Sequence, residues 1–352
     1  MTNRLELNWK LDGFVDEQRY YCSETPIDPL SLPNPKIVLP GDVRSYIDYS
    51  GDLGKKYYIR IGAFKDTIEK ISEEVEAVFG NIWNPSDLLN KPKLWIDCEN
   101  VTVDGSDRIS QVTDLSYNGY NFTQSTNSQK PIHVFESSLN RKVILFDGND
   151  DNLVNINAQA IARNISKFWA FVVYKKKSTD NTGQFRNILQ FNRGDSSGAN
   201  SRIGVYAGFS TAANAGAIYV RPTDGVTSAT AKTGAVKSQI WTSLFGQWDG
   251  DAAQMSLSQD GVFNSSSASG IATTTSNTAP SVTPATIGCG AAGTSVSKDG
   301  FADVYLACLV VGSGSIPTME ERQKLEGWAA HKYHLTENLP SGHPYKNLVP
   351  TL

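Results

Sequence analysis

Apolar and polar residues alternate along this chain with the period of strands. Over residues 4–12, Leu5, Leu7, Trp9 and Leu11 share one face, and Glu6, Asn8 and Lys10 share the other. That pattern predicts a strand buried on one side. A second strand is predicted around residues 18–23, followed by a proline-rich crossing over 26–40, where repeated prolines favour extended or turn geometry. Tyr57, Ile59, Ile61 and Ala63 again share a face after the turn-forming Gly51 and Gly54, and Val75, Ala77 and Phe79 mark a last strand. Residues 81–93 read as a short, partly apolar linker in which Pro85 and Ser86 open one helical turn.

From Leu94 onward short strands follow one another, with turn signals at Asp249-Gly250, Asp260-Gly261 and Asp299-Gly300. The stretch 114–153 is typical. Runs of Phe, Val, Ile and Leu are separated by turns of Asn, Gly and Asp, and Asn118-Gly119 offers the positive φ of a hairpin-type turn. The unbroken apolar runs 168–174 and 305–311 predict central strands covered on both faces. The Ser/Thr-rich residues 265–283 read as exposed loops or edge strands. A single helix is expected near the end. Thr318 and Glu321 form a capping box, Leu325, Trp328 and Ala329 make an apolar face, and Glu320, Arg322, Lys324 and Glu326 point outward. The expected fold class is all-β: a small sandwich over residues 1–80, then a large sandwich over 94–352 with one C-terminal helix.

Composition narrows the function. Among 352 residues, 19% are charged, and the formal net charge is -4. No basic stripe is available to release counterions from a phosphate backbone, so a nucleic-acid partner is not expected. The basic run 175–177 follows an apolar segment and reads as a solvated strand end. Cys22, Cys98, Cys289 and Cys308 lie far apart with no CxxC pair, which predicts buried reduced thiols over a disulfide scaffold. The opening residues show neither a basic nor an apolar signal region, and no run has the length of a membrane helix. The expectation is a protein that folds in a cytosol, with no membrane insertion.

Candidate chemistry is sparse. No strand shows the alternating carboxylates of a glycosidase acid/base pair, no GxSxG elbow occurs, and the glycines of 288–293 do not form a phosphate loop. An enzyme is not expected. His331 and His334 have a zinc-compatible spacing but no third ligand, and suit the helix C-terminus. Asp147, Asn149, Asp150, Asp151 and Asn152 offer oxygen ligands for calcium, with Asp147, Asp150 and Asp151 as the metal candidates. An Asx-type turn bonding its own backbone is the alternative, and no other cofactor is expected. Most aromatics fall on apolar strand faces. Tyr117, Tyr120, Tyr206 and Trp248 beside Asp249 fall near predicted loops and are the candidate ligand-binding residues.

Two resemblances add to this reading. LNWKL, with Trp9, and YYIRIGAF make residues 1–80 similar to a fibronectin type III domain, which implies that Tyr57 is a corner tyrosine with its hydroxyl bonded back to the backbone. The chain starts almost at the Trp strand, leaving an edge open to strand addition. WIDCENV, DLSYNGYNFTQ, VILFDGNDDNL and ERQKLEGWAAHKYHLTENLPSGHPYK together resemble the concanavalin A-like, laminin-G-type jelly rolls of phage virion proteins, over residues 83–347. Relatives of that type sometimes bind calcium at a loop. The pair of modules implies a non-enzymatic structural protein of a tailed-phage virion, a tail, baseplate or fibre appendage with a host-glycan adhesin role. A capsid decoration or collar protein packed against neighbouring virion proteins is the alternative. The implied location is the virion, after folding in the host bacterial cytoplasm. The implied partners are other virion proteins, host-surface glycans and further copies of the chain.

Overall fold

The computed structural model describes residues 5–177, 185–193, 201–208, 216–222, 228–233, 238–269, 271–275, 283–292 and 297–352. Of the Ser/Thr-rich segment, residue 270 and residues 276–282 lie outside that set. The chain divides into two units, residues 1–83 with 344–352, and residues 84–343. The last nine residues, expected to belong to the second module, therefore go with the first.

In the first unit, alternation does what it predicted. Leu5–Asn8 pairs antiparallel with Ser45–Asp48, and Leu5, Leu7 and Trp9 are half-buried while Glu6, Asn8 and Lys10 are exposed. The facing sheet runs Ile37–Pro40, Glu17–Ser23, Lys56–Lys65. The far edge of Lys56–Lys65 is shared, its start by Val75–Val78 and its end by Ile68–Ile71. Tyr20, Tyr57, Ile59 and Phe79 are buried between the sheets, with the Tyr57 and Phe79 rings edge to face at 5.2 Å. Gly51 has to be glycine, because a Cβ there would lie 2.2 Å from the Phe79 ring. The tail is stitched in by backbone bonds from Val349 N to Gly54 O (2.8 Å) and from Trp83 N to Pro350 O (2.9 Å).

The Tyr57 hydroxyl accepts from the backbone N–H of Asp52 at 3.1 Å, the bond expected of a corner tyrosine. Tyr57→Phe should lower the unfolding free energy by about 1 kcal/mol, the usual worth of one such bond. An unchanged urea midpoint would show that water replaces the bond at no cost.

The second unit is a jelly-roll sandwich, and all of its long pairings are antiparallel. One layer runs Val262–Ser267, Gln254–Gln259, Trp241–Asp249, Lys167–Lys176, Asp303–Ser313. The far edge of Asp303–Ser313 is shared by Arg141–Asp147, which carries Ile132–Glu136, and by the start of Leu94–Val103. Leu94–Val103 shifts register between Ile96 and Val101, and its second half pairs with Ile109–Asp114 to begin the other layer. That layer continues through Phe122–Thr123, Leu153–Asn155, Ala285–Ile287, Arg186–Arg193, Ser201–Gly208, Ala217–Arg221 and Ala229–Lys232. The layers meet where Phe168 packs edge to face on Phe191 at 5.9 Å, and where Gly246 leaves room for Ile218.

The runs 168–174 and 305–311 are adjacent strands, and nearly all of their side chains are buried. One face meets the second layer. The other is covered by the single α-helix among the described residues, Met319–Lys332. Thr318 caps it as expected, accepting from Glu321 N at 3.2 Å while Glu321 Oε2 accepts from Thr318 N at 2.9 Å. Its polar positions depart from expectation. Arg322 and Glu326 are buried, 7% and 1% exposed, because Val262–Ser267 and Gln254–Gln259 lie beneath the helix. Arg322 sits over the Phe263 ring, and Ser258 donates to Glu326. No helix among the described residues is long and apolar enough to cross a membrane. All four cysteines are free, as expected, and Cys22 alone is only partly buried.

Candidate functional site

The turn at residues 114–121 is built on one carboxylate. Asp114 Oδ1 accepts from Trp95 N (3.1 Å) and Ser116 N (2.9 Å), and Oδ2 accepts from Tyr120 N (3.0 Å). Asn118 Nδ2 donates back to the carbonyl of Lys93 at 3.2 Å. This leaves Tyr117 at φ 66° with a side chain 93% exposed. Positive φ is uncommon for a bulky residue, and here the surrounding bonds impose it. Tyr120 is half-buried beside it.

The turn delivers Asn121 to one wall of a groove. Phe122 and Leu153 point into the core, so their neighbours Thr123 and Val154, which face each other across the ladder, point outward and form the floor. Asn155, Ile156, Pro284 and Lys298 complete a groove of about 440 Å³. Asn155 Nδ2 donates to Asn121 O at 2.7 Å, and Asn155 Oδ1 accepts from Ala158 N at 3.0 Å, which fixes that amide. Lys298 donates to Asn152 Oδ1 at 2.8 Å, and the same oxygen accepts from Gln124 Nε2 at 2.9 Å. Its ammonium is thus held by an amide, not a carboxylate. The groove presents amides, a hydroxyl and one cation around apolar patches at Val154, Ile156 and Pro284. Among the described residues, no carboxylate lines it.

Residues 147–152 form the turn that carries Asn152. Asp147 Oδ1 accepts from the backbone N–H groups of Asn149 (2.8 Å), Asp150 (3.3 Å) and Asp151 (3.4 Å), and Asp151 Oδ2 accepts from Asp147 N (2.9 Å). One oxygen from each of Asp147, Asp150 and Asp151 lies within 4.8 Å of the others. The sequence alternatives therefore coexist, an Asx-type turn and a carboxylate cluster. Burial raises the Asp151 carboxyl to about 7, and the neighbouring Asp147 charge adds to the effect. Burial pushes the Asp147 carboxyl up as well, but the N–H donors outweigh that and hold it below the ordinary range.

Two candidates of the sequence reading are buried and cannot meet a ligand. Tyr206 is 1% exposed, inside the strand Ser201–Gly208, with its ring packed on Tyr219 at 6.2 Å. Trp248 is 0% exposed because its alternation in Trp241–Asp249 points it inward. Asp249 is half-buried and engaged, accepting from Ala252 N at 3.1 Å and facing Lys167 at 3.5 Å. Thr123, Asn155, Ile156, Pro284 and Lys298 were not anticipated. The two-residue strand Phe122–Thr123 is too short to show in sequence which side chain faces inward, and its meeting with Lys298 is not legible either.

No family model matches this sequence, and no curated protein does either. Solved structures similar to the chain are β-sandwich proteins. The carbohydrate-binding module of family 40 from the Ruminococcus gnavus IT-sialidase, bound to alpha2,3 sialyllactose, is 14% identical with a TM-score of 0.36, over 54% of this chain and 92% of that one. A GH54 α-L-arabinofuranosidase is 12% identical with a TM-score of 0.44, over 65% and 51%. The binding domain of botulinum neurotoxin serotype D is 10% identical with a TM-score of 0.45, over 69% and 52%. At such identities and scores, the ligands and chemistry of those proteins remain their own.

Proposed function

We propose that the second unit is a non-catalytic glycan-binding module, and that the chain is a structural protein of a tailed-phage virion. The observation that carries the first part is the groove at Thr123, Val154, Asn155, Ile156, Pro284 and Lys298. Fixed amides and an ammonium suit sugar hydroxyls, and Ile156 and Pro284 suit the C–H faces of a pyranose ring. The described residues of its walls lack the two carboxylates by which glycosidases protonate and displace, so binding without cleavage is the chemistry it fits. Tyr117 and Tyr120, on the turn that ends at Asn121, belong to the same region of the chain. The virion assignment rests on the sequence resemblance of the two modules to a combination found in tailed-phage appendages. On that reading the first unit faces the particle, and many weak sites act together.

A panel of bacterial surface polysaccharides presented to the full chain tests this. Binding is expected without release of reducing sugar. Lys298→Ala should weaken it roughly tenfold, the worth of one charge-assisted bond. Thr123→Trp, which fills the floor, should abolish it at an unchanged melting temperature. Silence across the panel would overturn the glycan reading, and binding indifferent to both substitutions would move the site elsewhere.

A further inference from the structure

Among the described residues, the strand Leu5–Asn8 has one partner and one open edge. Trp9 N donates to Arg44 O at 3.1 Å, continuing the register in which Leu5 faces Asp48 and Leu7 faces Tyr46. In an antiparallel ladder, bonded residues recur every second position. The odd residues therefore bond the Ser45–Asp48 strand, and the N–H and C=O of Asn8 face the other way. No strand of the described residues lies on that side. Beneath the edge runs an apolar groove of about 630 Å³, lined by Leu7, Trp9, Ile59, Ile61 and Val75. An open backbone edge above an apolar slot has the form of a place for one more strand.

The edge residues say which strand. The segment Leu5-Glu6-Leu7-Asn8-Trp9-Lys10-Leu11 is chemically self-complementary about Asn8. Laid antiparallel on a second copy with Asn8 opposite Asn8, it places Glu6 opposite Lys10, Leu7 opposite Trp9, and Leu5 opposite Leu11. Charge and size match at every step. The parity also matches, because this register sets Asn8 against Asn8, whose backbone groups lie on the open edge. Slipping by one residue would pair an even residue with an odd one, whose groups are already turned to Ser45–Asp48. Each copy would turn Leu5, Leu7 and Trp9 toward the apolar slot.

We infer that two copies of the chain associate through this edge, in a two-fold dimer centred on Asn8 in which each N-terminal strand extends the other's sheet. The inference is independent of the glycan reading. The surface is small, so the dimer should be weak and concentration-dependent. Sedimentation of the full chain over a range of concentrations tests it. Glu6→Lys alone and Lys10→Glu alone each set like charges opposite one another twice and should weaken association roughly tenfold. The double variant Glu6→Lys/Lys10→Glu should restore it. Asn8→Pro removes an edge donor without touching the bonds to Ser45–Asp48, and should give a monomer with an unchanged melting temperature. A wild-type chain that stays monomeric throughout would overturn the inference. So would an Asn8→Pro dimer as strong as wild type, or a double variant as weak as the singles.

Discussion

Glu326→Ala is expected to cost roughly 3–5 kcal/mol of unfolding free energy, the range for removing one partner of a buried ion pair. The side chain is 1% exposed, accepts from Arg322 and Ser258, and lies against the His343 ring. Arg322 donates to both of its oxygens at 3.0 and 3.3 Å, Ser258 Oγ donates at 2.6 Å, and His343 Nε2 lies 3.2 Å from Oε2. Truncation leaves the 7% exposed Arg322 with an uncompensated charge, and that penalty exceeds the loss of any single bond. Glu326→Gln keeps an acceptor and should lose less. The double change Arg322→Met/Glu326→Leu removes both charges together and should be far milder than Glu326→Ala. Urea titrations of the three variants check the order. If the double variant were as damaged as Glu326→Ala, the packing of these stems would matter more than their charge.

This network shows where sequence pattern stops. Leu325, Trp328 and Ala329 were legible as a buried face because a 3.6-residue stripe needs only local spacing. Arg322 and Glu326 read as solvent-facing for the same reason, since spacing does not reveal a strand laid under the polar side. Strands fared likewise. The apolar runs at 168–174 and 305–311 could be placed at the centre of a sheet because only a two-sided cover tolerates them. Short strands such as Phe122–Thr123 and Leu153–Asn155 lack enough residues to show a period. Trp248 and Tyr206 stand near predicted turns in the sequence, yet alternation and their neighbours turn both inward. Tyr117 was legible as a turn residue, but not its positive φ, which depends on the acceptors of Asp114. The groove was invisible because Thr123, Asn155 and Lys298 come from three distant segments. Asp147, Asp150 and Asp151 did come together, because four or five residues of turn leave them nowhere else to go.

That cluster gives the second large effect, a fall in stability as pH rises. Asp151 is 4% exposed, with its folded carboxyl near 7, against roughly 3.9 in an unfolded chain. Below pH 4 both states are protonated. Between about 4 and 7 the folded state holds the proton and the unfolded state has lost it, so the site's contribution is drained as pH climbs through 7. A gap of that size corresponds to something on the order of 4 kcal/mol by pH 8. Asp151→Asn keeps an acceptor for Asp147 N but carries no charge. It should be more stable than wild type at pH 8 by about that amount and indistinguishable from it near pH 4. Thermal melts of both proteins at the two pH values check this, and parallel curves would show that Asp151 is ionised in the fold without penalty. Calcium probes the same carboxylates from the other side. An ion held by Asp147, Asp150 and Asp151 competes with the proton, so millimolar calcium would raise the wild-type melting temperature at pH 8 and do little at pH 5. Asp151→Asn would blunt that rise. An equal melting temperature with calcium and with EDTA at pH 8 would leave the turn held by its own backbone bonds alone.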